Sequence, residues 1–424
     1  MNAHARKVVK EEPLIIMQLP SDANSTGRDF KGMELGFLKE VLDSGTLNCV
    51  RGTQVKTFEK DFAARYGVAS CRAVTSGTAA IHCAVAAMNL EPGDEVIGTT
   101  ITDMGAITPI LYQQGIPVFA DVDPVSLNVT PETVAERIGP RTRAIIATHL
   151  FGNPCDIEGI QAVGAKHGIP VIEDCAQSYL ATQNGKLTGT IGAIGCFSMQ
   201  QGKHMTTGEG GMVITNDPAH ARHMRLFSDK AWGYEDPKPD HYFLALNYRM
   251  TEMQGAVARG QLAKLDSVVE RRQMMAAYLD YLLGETPGVT LPKALPGSTH
   301  TYWKYALTVD PEAVTGGVDA LAKQLKDSGV FCVPRYVVKP AFECEVLAKR
   351  NTYGSSSCPY TCTKNAGGAP PSYDRADYPG TILGLDRVLV LPWNEHYQPE
   401  HVEFIAGRIK SAVAALRQPQ FAGV

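Results

Sequence analysis

The chain reads as an α/β protein: a mostly parallel seven-stranded sheet flanked by helices, with a smaller α+β region following it. Three observations carry that reading. Between about residue 67 and residue 216, short runs rich in β-branched residues alternate with helical patterns. After about Leu262 the pattern changes. Over 424 residues, 44% are hydrophobic and 20% charged, proportions that bury a large core and exclude wholesale disorder. Forty Lys plus Arg against 44 Asp plus Glu leave a formal charge of −4, which favours a small-molecule partner and no nucleic acid.

The strand segments, in order, are ASCRAVTS, DEVIGTTI, IPVFADV, TRAIIATHLF, IPVIEDCA, AIGCFSM and GGMVITND. Between them GTAAIHCAVAAMNL, TDMGAITPILYQQG, TPETVAERIG and DIEGIQAVGAKHG carry apolar residues three to four apart, the helical period. Beyond them VVERRQMMAAYLDYLLGE predicts a long amphipathic helix. TYWKYALTVD, GVDALAKQLKDSG, VLVLPW and PEHVEFIAGRIKSAVAALR then predict the smaller region. The division expected is 1–265 and 266–424. Residues 350–380, rich in Gly, Ser, Pro and Tyr, form an irregular surface loop.

All ten cysteines (Cys49, Cys71, Cys83, Cys155, Cys175, Cys196, Cys332, Cys344, Cys358, Cys362) stand singly, which predicts free thiols in a reducing cytosol. The Cys344, Cys358, Cys362 group lacks metal spacing, so no metal is expected. Glu11, Glu12 and Pro13 interrupt the basic start, and LIIM is too short for a signal-peptide core. No stretch has the length of a membrane span, and a cytoplasmic protein without membrane contact is expected.

In open α/β sheets, ligands bind beyond the carboxyl ends of the strands. The strongest signal there is FSMQQGKHMTTGEGGMVIT, where Lys203 follows a strand. Taken alone, Lys203 is a solvated loop lysine. Asp174, ending the buried strand of VIEDCAQS, changes that, because a buried carboxylate needs a cation. The pyridinium nitrogen of pyridoxal phosphate is such a cation, and an aspartate with a Schiff-base lysine is the equipment of an enzyme using that cofactor. Ser76-Gly77-Thr78-Ala79 begins a helix and reads either as an N-cap or, with Ser198, as a phosphate cup.

With these residues in place, the chain resembles the DegT/DnrJ/EryC1/StrS sugar aminotransferases. The matching segments are SGTAAIHCA, PGDEVIGTT, IPVFADVDPVSLNV, THLFGNPCDI, VIEDCAQS, GCFSMQQGKHMTTGEGGMVITND and NYRMTEMQGAVARGQL, in family order over roughly residues 40–265. QQGK and TYWKYAL look most like the keto-cyclitol (inosose) aminotransferases of aminoglycoside pathways. The resemblance implies a type I aminotransferase fold, with the large domain binding pyridoxal phosphate. It implies amino transfer from L-glutamine or L-glutamate to a keto-cyclitol or keto-sugar. It assigns Lys203 to the Schiff base, Asp174 to the ring nitrogen, Gln177 to the ring hydroxyl, and Gly77, Thr78 and Ser198 to the phosphate, beside which Ser76 is counted as cofactor-binding from its place in the cup. Asn247 would reach the neighbouring active site of a homodimer, and Arg249 would receive a donor carboxylate or form a structural salt bridge.

One position departs from the family. Where an aromatic residue normally stacks on the cofactor, this chain has Asp103. Either another side chain covers the ring and Asp103 meets the substrate, or Asp103 caps the next helix. His149 lines the pocket or serves a structural role. Cys175 points away from Asp174 into the core, His204 sits at the surface, and Trp303 and Tyr305 belong to the core. Three rivals are weaker. A dehydratase of this fold carries histidine in place of Lys203. A regulator would need a DNA-binding module, and the stretch before residue 30 is too short for a helix-turn-helix. A nucleotide-dependent dehydrogenase would need GxGxxG after the first strand.

Overall fold

A computed structural model of the protein describes residues 17–234, 236–362 and 371–417. The signal-peptide reading therefore falls almost wholly outside the described residues, as do positions 363–370 of the expected loop.

Two helices, α1 Met33–Ser44 and α2 Gln54–Tyr66, precede the sheet, each stopped by a glycine in the left-handed conformation (Gly45, Gly67). The central sheet then takes β1 Ser70–Val74, β2 Glu95–Thr99, β3 Ile116–Ala120, β4 Thr142–Thr148 and β5 Val171–Asp174. The ribbon strands β6 Thr182–Gln183 and β7 Lys186–Leu187 intervene before β8 Ile194–Ser198 and β9 Gly211–Thr215 return to the sheet. Its order is β1-β9-β8-β5-β4-β2-β3. Only β9 runs against the others, pairing antiparallel with both β1 and β8.

Alternation along the buried strands feeds two cores. Ala144 and Ile146 pack on one face with α3 Gly77–Ala87, while Ile145 and Ala147 pack on the other with α6 Ile157–His167. The connections around them are α4 Thr108–Tyr112, α5 Pro131–Ala135 and α7 Pro218–Phe227. The expected helix over TDMGAITPILYQQG is shorter than its period suggests: Asp103 caps a single 3-10 turn, Met104–Ala106, before α4. Helix α8 Glu252–Leu262 opens on a reciprocal capping box between Thr251 and Gln254.

Helix α9 Leu265–Leu283 leads to β10 Val289–Thr290, β11 Ser298–Thr299, β12 Lys304–Val309, α10 Gly317–Asp327, β13 Val333–Pro334, α11 Glu345–Ala348, α12 Pro379–Arg387, β14 Val388–Pro392 and α13 Pro399–Leu416. Strands β10-β12-β14-β13 form an antiparallel sheet, and β11 joins the β6-β7 ribbon. Among the described residues no helix is long and apolar enough to cross a membrane.

Fully buried Arg272 on α9 ties these parts together. Its guanidinium meets Glu395 at 2.6 Å and Asp22 at 3.3 Å, and donates to the carbonyls of Trp393 (2.7 Å) and Trp303 (3.1 Å). Asp22 also receives Lys304 at 3.3 Å and Asn394 at 2.5 Å. A buried charge is tolerated when its partners satisfy it this fully.

Two expectations need correction here. Residues 350–380 are less irregular than their composition suggests: Arg375–Asp377 make a 3-10 turn and α12 starts at Pro379. Tyr360 and Tyr378 are buried with Phe119 and Phe342, because the tyrosine rings supply the apolar surface that the Gly and Ser positions lack. Nor are all ten thiols free. Cys358 and Cys362, brought to a Cα separation of 5.6 Å by an intervening turn, form a disulfide, and the other eight remain unpaired.

Candidate active site

The carboxyl ends of β1, β2, β5 and β8 open into one cavity of about 270 Å³. Ser76 ends the first of these turns, and its Oγ accepts the Ala79 N–H at 3.0 Å, capping α3. The N-terminus of α3 therefore faces the cavity, with Gly77, Thr78 and Ser198 along the same wall. A Cβ at Gly77 would lie 2.7 Å from Cβ of Ser198, so only glycine lets the turn and the end of β8 approach this closely. The result is a concave cup of backbone N–H groups at a positive helix end, with two hydroxyls beside it. Gly77→Ala is expected to weaken cofactor affinity by roughly tenfold, about 1.4 kcal/mol, in an equilibrium binding titration.

On the floor, Asp174 is buried at the end of β5. One carboxylate oxygen accepts from Thr148 Oγ1 at 3.2 Å and the other from the Ala176 N–H at 3.1 Å. Burial raises its pKa, opposed by the Ala176 N–H and the Lys203 ammonium. Beneath it His149 is fully buried and contacts Glu173 at 3.1 Å through Nε2 and Cys155 Sγ at 3.4 Å through Nδ1. Burial pushes the His149 pKa down, while Cys155, Cys175 and Glu173 together push it above its ordinary range. His149 is therefore not a pocket residue. Its strand carries it below the floor, where it supports β5.

Buried His149, Glu173 and Cys175 are close enough together to suggest metal ligands. However, the Glu173 oxygens already accept the N–H groups of Gly189, Ile191 and Gly192. Cys175 lies in the core against Tyr179 and Phe197, as strand alternation predicts.

Lys203 is not a solvated loop lysine. It lines the cavity, and burial draws its amine down to about 8, opposed by Asp174 and Asp103. Two contacts fix the chain just before it: Gln201 Nε2 donates to the Asp22 carbonyl at 2.8 Å, and the Trp303 indole N–H to the Gly202 carbonyl at 2.7 Å. His204, expected at the surface, is buried with Nε2 2.9 Å from the Thr301 carbonyl, because the chain turns back into the core there. Tyr305 is core as expected. Trp303 is not confined to the core: it lines the cavity with its ring centroid 4.1 Å from the Lys203 amine.

Asp103 holds both positions foreseen for it. Its Oδ1 accepts the Gly105 N–H at 2.8 Å, capping the 3-10 turn, and the residue also lines the cavity. Gln177 lines it too, its Oε1 accepting the Phe151 N–H at 2.7 Å. Asn247 and Arg249 do not enter the cavity of their own chain. Asn247 is exposed, and Arg249 forms a salt bridge with Asp229, the structural alternative considered for it. Several residues near the cavity escaped sequence reasoning, Glu209 among them. Thr102 and Gln200 line the cavity, and Tyr336, at φ 48°, presents its hydroxyl to Gln177. Gln200 lies inside the QQGK segment without an assigned role, and no motif marks Thr102 or Tyr336, which arrives from the far side of the fold.

These groups fit pyridoxal phosphate by their chemistry: an anion cup kept open at Gly77, a buried carboxylate for a ring cation, and an amine made less basic by burial for an aldehyde. Comparison with known proteins agrees. Residues 29–368 match the model of the DegT/DnrJ/EryC1/StrS aminotransferase family. A GDP-perosamine synthase from Caulobacter vibrioides is 34% identical over 306 residues, covering 72% of this chain and 81% of that protein. An L-glutamine:2-deoxy-scyllo-inosose aminotransferase from Streptomyces kanamyceticus is 36% identical over 301 residues, covering 67% and 70%. The X-ray structure of an aminotransferase from Psychrobacter cryohalolentis superposes with a TM-score of 0.80 at 30% identity, covering 92% of this chain and 98% of that one. The cavity at the strand ends and these matches lead to one conclusion: the chain belongs to the DegT/DnrJ/EryC1/StrS family and is a pyridoxal phosphate-dependent aminotransferase.

Proposed function

We propose that the protein moves an amino group from L-glutamine or L-glutamate to the ketone of a cyclitol or sugar. The observation that carries this reading is the placement of Lys203 and Asp174 in one cavity beside the Ser76–Thr78 and Ser198 cup. Pyridoxal phosphate, when bound, supplies a carbonyl that accepts the amino group and a ring that delocalises the electron pair left on the substrate carbon. The chain's residues do the rest. Gly77, Thr78 and Ser198 bind the phosphate. Asp174 holds a proton on the ring nitrogen, and Gln177 orients the ring hydroxyl. The Lys203 amine, drawn down to about 8 by burial, takes in its neutral form a proton at Nζ from the donor α-carbon and gives it back in the opposite half-reaction.

Asp103 is assigned to the acceptor. A carboxylate at the cavity wall accepts hydrogen bonds from ring hydroxyls, which suits a polyol better than an apolar ligand. Asp103→Ala is expected to raise the acceptor KM about tenfold while leaving the donor half-reaction within about twofold, as steady-state and single-turnover kinetics would read it. Asn247, exposed and outside its own cavity, is assigned to the active site of a second copy in a homodimer.

The function is tested by following the cofactor absorbance of purified protein through addition of each donor, then of keto-cyclitols and keto-sugars. Bleaching by a donor and recovery with one acceptor class is the expected result. Absorbance that no donor bleaches would instead fit a dehydratase or a regulator. Lys203 opposes the dehydratase, which carries histidine there.

A further inference from the structure

We infer that Trp303 is the seat of the Lys203 amine whenever that amine is not bonded to the cofactor, and is thus a positioning residue for proton transfer. The inference rests on the role proposed above for Lys203. Its observation is a juxtaposition of two elements distant in sequence. The Lys203 Nζ lies 4.1 Å from the Trp303 ring centroid, inside the ~6 Å reach of a cation–π contact. No hydrogen bond or ion pair to that nitrogen occurs among the described residues.

The ring itself is fixed. Its N–H is held by the Gly202 carbonyl at 2.7 Å and its own carbonyl by Arg272 at 3.1 Å, while Lys304 beside it is pinned to Asp22 at 3.3 Å. The backbone before Lys203 is gripped from both sides, at Gln201 and Gly202, so what remains free to move is the four-carbon stem.

The charged and titratable groups around the amine are Asp174 from β5, Asp103 after β2, Glu209 before β9, His204 beside it and Lys304 on β12. A carboxylate contact would lock the ammonium into an ion pair. An aromatic face attracts the ammonium yet accepts no proton from it, so the amine is held in place and its proton stays transferable. Trp303, from the segment entering β12, also gives the cavity an aromatic side chain where the β2 loop has Asp103 instead of one.

The test measures acylation of Lys203 by an amine-selective reagent against pH, in full-length protein freed of cofactor, read by peptide mass spectrometry. Native protein should show a midpoint near 8. Trp303→Leu and Trp303→Met remove the attraction for the charged amine and should lower the midpoint by about one unit, whereas Trp303→Phe should stay within a few tenths. In the loaded enzyme, the Leu and Met variants should lose about tenfold in kcat of the donor half-reaction with donor KM nearly unchanged. Midpoints equal to native in both non-aromatic variants would overturn the inference. So would a Phe variant as shifted as they are, since the indole N–H bond to Gly202 would then be what matters. A failure of the proposed function is separately visible: it would appear as Lys203→Ala turning over normally, whatever the labelling shows.

Discussion

Lys203→Ala is expected to lower turnover by at least about 10³-fold, because it removes a covalent attachment point and the proton carrier together. Desolvation gives the argument its size. An amine near 8 in place of an ordinary 10.5 has, at pH 7, a neutral fraction about 300-fold larger. Only the neutral amine attacks a carbonyl or takes a proton. Lys203→Arg restores the charge but not the titration, since a guanidinium stays protonated in proteins. It should therefore be as inactive as the alanine variant. The measurement is single-turnover kinetics of the donor half-reaction together with the absorbance of bound cofactor. Turnover of either variant within tenfold of native would remove Lys203 from the reaction.

Asp174→Asn should lose about 10² to 10³ in kcat, the effect of deleting a preorganised charge in a water-poor site. The substitution keeps shape and volume: the amide oxygen can accept the Ala176 N–H, and the amide N–H can donate to Thr148 Oγ1. The loss is thus electrostatic: an amide does not compensate a proton on a ring nitrogen. Because the folded protein already strains against a buried carboxylate, the variant should unfold at the same or a higher temperature than native protein even as it loses activity. A catalytic loss accompanied by an equally large fall in thermal stability would mean that Asp174 is chiefly structural. Loss of activity at unchanged stability is the expected result.

The parts of this fold that are local were legible in the sequence. All seven strands of the central sheet lie within the β-branched runs, and the residues at the carboxyl ends of β1, β2, β5 and β8 converge on one cavity. The reversed β9 was not legible, because its buried run GMVIT has no polarity that distinguishes parallel from antiparallel pairing. Trp303 and His204 were misjudged for a related reason. Alternation says which face of a strand a side chain takes, not what the other end of the fold brings against that face. Tyr336 is the extreme case: its hydroxyl meets a side chain 159 residues away in sequence. His149 was ambiguous because the end of a strand is equally a site of chemistry and a place where a sheet is buttressed.

The charge cluster around Arg272 bears on the order in which the enzyme comes into being. Asp22 emerges early from the ribosome, yet one of its partners, Asn394, follows 372 residues later. The central sheet, with Lys203 and Asp174 already in its sequence, is complete long before that. Until residues 394–395 are made, the segment whose Asp22 carbonyl holds Gln201 lacks the Asn394 contact, and Arg272 lacks its Glu395 partner. The last strand of the smaller sheet and the residues just after it thus close the charge cluster that grips the backbone before Lys203.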